Sequence, residues 1–166
     1  MNPSILDSNS RTKYWETVSS LLNSGQYVFL AMVAEHTTHS PGTTGAKLLV
    51  AKERKPVGTI GGGIMEYNLI KRANDILENG SFSPEIHTLS HQKYGDGEKS
   101  GMICAGKQTN LHYLCHPEKD GKTVDRIIHY LNQNQSALLS ISPSGMDVRE
   151  QKHDGNKAQI ELSKDE

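Results

Sequence analysis

The sequence predicts an α+β fold, organised as a single domain with a mixed or largely antiparallel sheet and about three helices. Three observations predict it. The chain has 166 residues, which is the length of one ordinary domain. Its short apolar runs follow one another instead of alternating strictly with helices, which favours α+β over a parallel α/β arrangement. Three longer stretches place their apolar residues at helical spacing.

The first half of the chain predicts a helix, three strands and a second helix, in that order. An apolar stripe covers residues 14–22, and Asn23-Ser24-Gly25 ends that helix. Residues 27–34 form a nearly unbroken apolar run, typical of a strand buried on both faces. Residues 46–51 and 57–60 are expected to pair as a hairpin. The second helix carries an apolar stripe at Met65, Leu69, Ala73, Ile76 and Leu77.

The second half predicts three more strands and one more helix. Residues 84–89 alternate weakly and are expected to form an edge strand, and residues 110–115 form a further strand. A third helical stripe covers residues 124–131, and residues 137–141 form the last clear strand.

Both ends of the chain are polar. We expect residues 1–13 to be a flexible N-terminus. Residues 147–166 are expected to be a polar C-terminal edge or tail. The folded domain is therefore predicted at residues 14–146.

Composition argues against several classes of partner. The 18 basic and 19 acidic residues give a formal net charge of −1, so no basic field is present to neutralise nucleic-acid phosphates. No apolar run reaches the 18 or more residues of a membrane helix, and the N-terminus lacks a signal-peptide pattern. Two cysteines are too few for a disulfide scaffold, which favours a reducing cytoplasm.

The first loop of interest is Ser40-Pro-Gly-Thr-Thr-Gly-Ala-Lys47. It is glycine-rich, but a phosphate-binding P-loop needs four residues between its glycines and a lysine directly after the second. Here two residues separate Gly42 from Gly45, and Ala46 precedes Lys47. A nucleotide-hydrolase site is therefore excluded, and a simple turn before a strand is the alternative to a binding loop.

The second loop places Gly61, Gly62 and Gly63 between a strand and a helix. Bare backbone N–H groups at a helix N-terminus favour a phosphate or another anion. The pattern is not a dinucleotide fingerprint, because Glu66 stands where its last glycine should be. A tight structural turn is the alternative, with Glu66 either compensating the helix dipole or acting in catalysis.

The third loop places Cys104 between Gly101 and Gly106, with Lys99 and Lys107 nearby. Backbone N–H groups and cations lower a thiol pKa, which would make this cysteine a nucleophile or a soft metal ligand. An inert buried thiol is the alternative. Cys115 lies within an apolar strand, where the inert interpretation is favoured.

The eight histidines show no standard zinc-ligand spacing, so a zinc site is not favoured. His36 and His39, and His87 and His91, lie close in sequence, and His112 clusters with Cys115 and His116. A serine triad is not favoured either, because the chain contains no GxSxG elbow.

In order along the chain, the segments SPGTTGAKLLV, VGTIGGGIMEYNLI and SGMICAG resemble the XdhC/CoxI family of xanthine dehydrogenase accessory proteins. The resemblance implies a cytoplasmic assembly factor with no catalytic residues of its own. Such a protein would bind the molybdenum cofactor (molybdopterin) transiently, protect it during sulfuration and deliver it to a molybdenum hydroxylase. The implied partners are a cysteine desulfurase, the apo molybdenum hydroxylase and a second copy of the chain.

Carried over by position, the resemblance makes Cys104 the residue that touches the cofactor and its molybdenum. Gly101 and Gly106 would shape the loop around this cysteine. The glycines of the second loop would line the pocket, together with the glutamate that follows them: Gly61, Gly62, Gly63 and Glu66. A facing loop would be formed by Ser40, Pro41, Gly45 and Lys47.

The chain departs from the family pattern at three positions and in length. Thr43 stands where relatives often carry an arginine, Ile64 where a cysteine is common, and Ala105 where a glycine is frequent. The resemblance also implies a second, Rossmann-like domain in full-size relatives, which this sequence does not include. Two other functions stay open: a thiol or persulfide (sulfur-carrier) enzyme that depends on Cys104, and a cofactor-free interaction domain.

Overall fold

The computed structural model describes residues 3–90, 98–99, 106–151 and 161–162, with side chains for residues 10–89 and 106–151. The α+β class is confirmed, with three helices and largely antiparallel pairing of the strands. The chain divides into two compact units, which are described separately. One is formed by residues 28–114 and the other by residues 1–27 and 115–166.

The unit of residues 28–114 is built on a six-stranded sheet with the order β3-β2-β1-β6-β4-β5. The β1–β2, β2–β3 and β4–β6 pairs are antiparallel, and the short β4–β5 pair is parallel. The strands are β1 (Val28–His36), β2 (Lys47–Val50), β3 (Val57–Gly58), β4 (Glu85–Ser90), β5 (Glu98–Lys99) and β6 (Lys107–Cys115).

The core of this unit follows the apolar patterns of the sequence. Residues 28–33 of β1 are all buried, which confirms a strand buried on both faces. Helix α2 (Gly63–Asn79) packs on β1 and β2 through the predicted stripe from Met65 to Leu77. The predicted hairpin is confirmed by β2 and β3. β4 differs from the prediction, because it is paired on both sides instead of lying at an edge.

The other unit contains helices α1 (Pro3–Asn23) and α3 (Pro117–Asn132) and a three-stranded sheet with the order β8-β7-β9. Its strands are β7 (Ala137–Ser142), β8 (Gly145–Glu150) and β9 (Glu161–Leu162). The two helices pack against each other, and α3 also packs on β8.

A buried carboxylate fixes the start of α3 in this unit. Asp120 accepts a hydrogen bond from the backbone N–H of His116 at 2.7 Å and another from that of Met146 at 3.2 Å. It thereby satisfies a donor at the helix N-terminus and connects α3 to β8.

The structure extends two of the predicted elements. Helical backbone begins at Pro3, well before the predicted stripe at Tyr14. The proposed boundary at residue 147 falls inside β8, which is an edge strand of its sheet. The flexibility of residues 1–13 stays a prediction. Among the described residues, no helix combines the length and apolar character needed to cross a membrane.

Candidate functional site

The described parts of the three predicted loop motifs meet in the unit of residues 28–114. The end of the third motif leads directly into β6, and there Lys107 pairs with Thr37: the Thr37 backbone N–H donates to the Lys107 carbonyl at 2.9 Å. The Lys107 backbone N–H in turn donates to the Thr37 hydroxyl at 2.7 Å. We call the three segments the loop cluster: residues 40–47, 59–66 and 106–108.

One buried side chain, that of Gln108, connects all three segments. It has no exposed surface. Its Oε1 accepts hydrogen bonds from the Gly42 N–H at 2.9 Å and the Ser40 hydroxyl at 3.1 Å. Its Nε2 donates to the Ile60 carbonyl at 2.8 Å and to Oδ1 of Asn110 at 2.8 Å. Because three of these four bonds are buried, the amide holds the loops in one arrangement.

Three glycines of the loop cluster are packed against neighbouring backbone. A Cβ on Gly42 would lie 2.2 Å from the carbonyl oxygen of Ile60. On Gly61 it would lie 2.9 Å from Cβ of Pro41, and on Gly106 it would lie 2.5 Å from a backbone nitrogen of the first loop. No other residue type fits at these distances, so the three glycines allow the loops to approach one another.

The glycine turn before α2 is held by Glu66. Residues 61–63 all have positive φ, and Gly62 at the helix N-cap has φ 73° and ψ −165°, a region essentially restricted to glycine. Oε2 of Glu66 accepts from the Thr59 hydroxyl at 2.6 Å, the Ile60 N–H at 2.9 Å and the Gly62 N–H at 3.1 Å. One of the glycine N–H groups predicted to face an anion, that of Gly62, therefore already binds a carboxylate of the chain itself.

Other residues of the loop cluster are open to solvent. No heavy atom lies within 4 Å of a Cβ built on Gly45 or Gly62. On the first two turns of α2, Ile64 is 58% and Tyr67 is 69% exposed. The loop cluster thus has a packed interior and an exposed rim of glycine backbone with apolar side chains beside it.

The first loop is closed by its own side chains. The Thr44 N–H donates to Nδ1 of His36 at 3.0 Å, so that ring nitrogen is the acceptor. The Lys47 ammonium donates to the carbonyl of Gly45 at 2.7 Å. These contacts fix the exposed end of the loop next to β1 and β2.

Of the two cysteines, the structure describes Cys115. Cys104 and Gly101 lie outside the described residues. Cys115 is a fully buried free thiol, and burial, followed by the nearby Asp120 carboxylate, raises its pKa well above the usual value. The inert interpretation of Cys115 is thereby confirmed.

A second polar cluster lies on β4 and β6 of the same unit. Glu85 Oε1 lies 3.0 Å from Nε2 of His87 and 3.1 Å from Nδ1 of His112. Arg72 on α2 forms a bidentate ion pair with the same carboxylate. Its Nη1 contacts Oε1, and its Nη2 donates to Oε2 at 3.0 Å. We call these four residues the ion cluster: Arg72, Glu85, His87 and His112.

The ion cluster shifts the pKa of two of its members. Burial raises the pKa of Glu85, but hydrogen bonds from Arg72, His112 and His87 outweigh burial and lower it to about 2. Burial lowers the pKa of His112 to about 4, although the hydrogen bond to Glu85 acts in the opposite direction. At neutral pH the carboxylate is therefore ionised and the His112 imidazole is neutral.

Residues 21–89 match the model of the XdhC and CoxI family.

The matched segment contains the first two loop motifs, and it confirms the resemblance to the XdhC and CoxI family that the motifs indicate. A crystal structure described as that of a xanthine dehydrogenase from Bacillus halodurans matches with a TM-score of 0.57 and 22% identity. It covers 85% of this chain, and this chain spans 45% of that one, less than half its length. At this identity the likeness establishes the fold. A search of curated proteins gives no significant match.

The sequence motifs did not identify Gln108, which lies two residues after the third motif. His112 was noted only as part of a cluster with Cys115 and His116 that lacks standard zinc-ligand spacing. The available signal was strand periodicity: Gln108, Asn110 and His112 alternate along β6, so all three lie on one face. All three are buried.

Proposed function

We propose that this chain is an accessory protein that binds the molybdenum cofactor and assists its sulfuration and its insertion into a xanthine dehydrogenase-like molybdenum hydroxylase. The family match supports an accessory role associated with xanthine dehydrogenase. The observation that carries the finer proposal is the convergence of the three motif segments on Gln108. A set of separated motifs that fold into one cluster is what a shared binding site requires.

The exposed rim of the loop cluster fits the cofactor, and the packed interior does not. Gly45 and Gly62 leave open space where any side chain would project, so a ligand can approach their backbone closely. The N–H groups of Ile60 and Gly62 do not fit a phosphate, because the Glu66 carboxylate holds them. We therefore assign Glu66 to holding the turn and the exposed glycine backbone to contacting the ligand.

The rest of the site is assigned by residue chemistry. When bound, the cofactor supplies a soft, oxygen- and sulfur-bound molybdenum centre together with a phosphate tail. Cys104 supplies a sulfur suited to that metal. Gly106 packs the end of its loop against Ser40, and Gln108 then fixes that end to the first and second segments. The chain itself binds, orients and shields, and no step of turnover is assigned to it.

Delivery requires partners, which we propose by their roles. A cysteine desulfurase supplies sulfur, and an apo molybdenum hydroxylase accepts the cofactor; these steps are placed in the cytoplasm. The exposed side chains of Ile64 and Tyr67, next to the glycine turn, support a surface for a partner or for a second copy of the chain.

The test is an anaerobic titration of the full chain with isolated molybdenum cofactor, followed by absorbance and metal analysis. Cys104→Ala is compared with Cys115→Ala, which removes the buried thiol outside the loop cluster. The proposal expects near-stoichiometric binding in the wild type and in Cys115→Ala, and loss of binding in Cys104→Ala. Binding in all three proteins would support a cofactor site on this chain, but it would assign the contacts to the glycine rim instead of Cys104. Absence of binding in the wild type contradicts the proposal.

A further inference from the structure

We propose that Glu85, His87 and His112 form a binding site for one divalent transition-metal ion of the zinc class. One ligand atom from each of the three residues lies within 4.8 Å of the others. This site does not depend on the molybdenum cofactor, and it lies outside the loop cluster.

The backbone brings the three side chains together. Glu85 and His87 are two residues apart on β4, so they project from the same face of the sheet. Glu85 and His112 are direct cross-strand partners in the antiparallel β4–β6 pair. The two imidazole rings stack at 5.1 Å between centroids with 21° between their planes. The ligand set is therefore fixed by the strand register and not by a loop.

The chemistry of the set selects the metal. Two imidazole nitrogens and one carboxylate oxygen match the ligands that zinc and its first-row neighbours prefer. Three protein ligands leave a fourth tetrahedral position open to water or to a small ligand. The distances from Glu85 Oε1 to the two nitrogens, 3.0 and 3.1 Å, are close to the spacing of ligand atoms around an ion bound at about 2.0 to 2.1 Å.

His112 presents one nitrogen to such an ion. Its side chain is only 5% exposed, and its Nε2 is buried without a hydrogen-bond partner among the described residues. Nδ1 faces Glu85, so it is the nitrogen placed to act as the ligand. Because β6 and the packing around the ring hold this residue, two ligands can adjust around one fixed position.

The guanidinium of Arg72 occupies the position next to Glu85 and His87 where the metal ion would bind. Its guanidinium pairs with both carboxylate oxygens of Glu85 and lies 3.4 Å from Nε2 of His87. The Arg72 side chain is 44% exposed and lies over the Phe82 ring, with its guanidinium carbon 5.6 Å from the centroid. Because the guanidinium is already partly exposed to solvent, it can move away from the Glu85 carboxylate. A bound metal ion and Arg72 would compete for Oε1 of Glu85, because both use this oxygen.

The test is a calorimetric titration of the full chain with Zn²⁺ alone at neutral pH, repeated with Co²⁺ to read the ligand type by visible absorption. We expect one equivalent to bind with a spectrum that lacks sulfur–cobalt charge transfer. His87→Ala weakens binding by at least about tenfold. Arg72→Gln strengthens it about three- to tenfold, because a competing positive charge is removed. His129→Ala, which changes an exposed histidine on α3, leaves the affinity unchanged.

Thermal unfolding of each variant tests whether the fold is kept. His87 is partly exposed, so His87→Ala provides the decisive comparison even if His112→Asn fails to fold. The proposal is overturned if neither the wild type nor Arg72→Gln binds Zn²⁺ saturably. It is also overturned if His87→Ala binds as tightly as the wild type, or if the Co²⁺ spectrum shows thiolate ligation.

Discussion

Two clusters of polar groups are anchored four residues apart on the same face of β6, and they are built in opposite ways. The loop cluster is organised by the neutral amide of Gln108 and by glycines that admit close backbone contacts. The ion cluster is organised by the charged Glu85 carboxylate, with Arg72 and two histidines around it.

The two clusters differ in whether one of their members can be replaced by another group. The hydrogen bonds of Gln108 to the Gly42 N–H and the Ile60 carbonyl are buried, so removing the amide leaves these two groups without their partner. Arg72 is half-exposed, so another cation can replace it beside Glu85. A neutral network of buried hydrogen bonds fixes the geometry of the loops, whereas a charged network with an exposed member can exchange that member for another cation.

The largest effect should come from the packed glycines of the loop cluster. Gly42→Ala places a Cβ 2.2 Å from the Ile60 carbonyl oxygen, and backbone must move to relieve the clash. We expect a loss of about 3 kcal/mol or more in the free energy of unfolding. Gly45→Ala meets no atom within 4 Å and should cost only about 1 to 2 kcal/mol for its positive φ.

Urea denaturation of both glycine variants measures this difference. Equal losses for Gly42→Ala and Gly45→Ala would show that the interior of the loop cluster is not packed as described.

Removing the central amide should have the next largest effect. Gln108→Leu keeps the approximate volume but leaves the Gly42 N–H and the Ile60 carbonyl without their buried partner. We expect a loss of about 3 kcal/mol in the free energy of unfolding. Gln133→Leu, at an exposed position, is the matched control and should change stability by less than about 0.5 kcal/mol. If both variants unfold at the same urea concentration, Gln108 does not hold the loops.

Acidification should weaken the ion cluster in two stages. The folded-state pKa of His112 is about 4, against an ordinary value of 6.5. The contribution of the neutral imidazole to the free energy of unfolding is therefore complete above pH 6.5 and is lost as the pH falls towards 4. The folded-state pKa of Glu85 is about 2 against 4.5, so its contribution is lost between pH 4.5 and 2. The His112 stage should be of the order of 2 to 3 kcal/mol.

Chemical denaturation at a series of pH values separates the two stages. His112→Asn should remove the fall between pH 6.5 and 4 and keep the fall at lower pH. An unchanged slope in the upper range would contradict the assignment to His112.

The smallest effect should come from the charge that holds the glycine turn. Glu66→Gln keeps a side-chain oxygen for the Ile60 and Gly62 N–H groups but removes the negative charge at the N-terminus of α2. We expect a loss of about 1 kcal/mol in the free energy of unfolding. Thermal unfolding against Glu78→Gln, an exposed residue near the C-terminus of the same helix, measures it. A loss as large as that in Gly42→Ala would mean that the turn depends on the charge itself.

Much of the fold was readable from the sequence because apolar periodicity reports burial directly. The stripe from Met65 to Leu77 gave α2, and the run at residues 27–34 gave β1. The start of α1 at Pro3 was not readable, because residues 3–13 are polar and carry no apolar stripe. β8 was read in part as a tail, since its polar residues alternate with Met146 and Val148 at an edge.

The candidate site was readable only in part. The glycines and Glu66 stand out as local motifs, but the partners that organise them lie far away in sequence. Gln108 is 66 residues from Gly42 and 48 residues from Ile60 in the sequence. His112 is 27 residues from Glu85. These contacts follow from strand register, which a single sequence does not specify.

The most direct test of the central claim is cofactor titration of Gly62→Ala beside Gly25→Ala. Both glycines have positive φ, near 73° and 79°, and no atom lies within 4 Å of a Cβ built on either. Only Gly62 belongs to the loop cluster. We expect Gly62→Ala to weaken binding of the molybdenum cofactor by at least about tenfold, or 1.4 kcal/mol, while Gly25→Ala binds as the wild type does. Equal affinity in the two variants would contradict a cofactor site on the glycine rim.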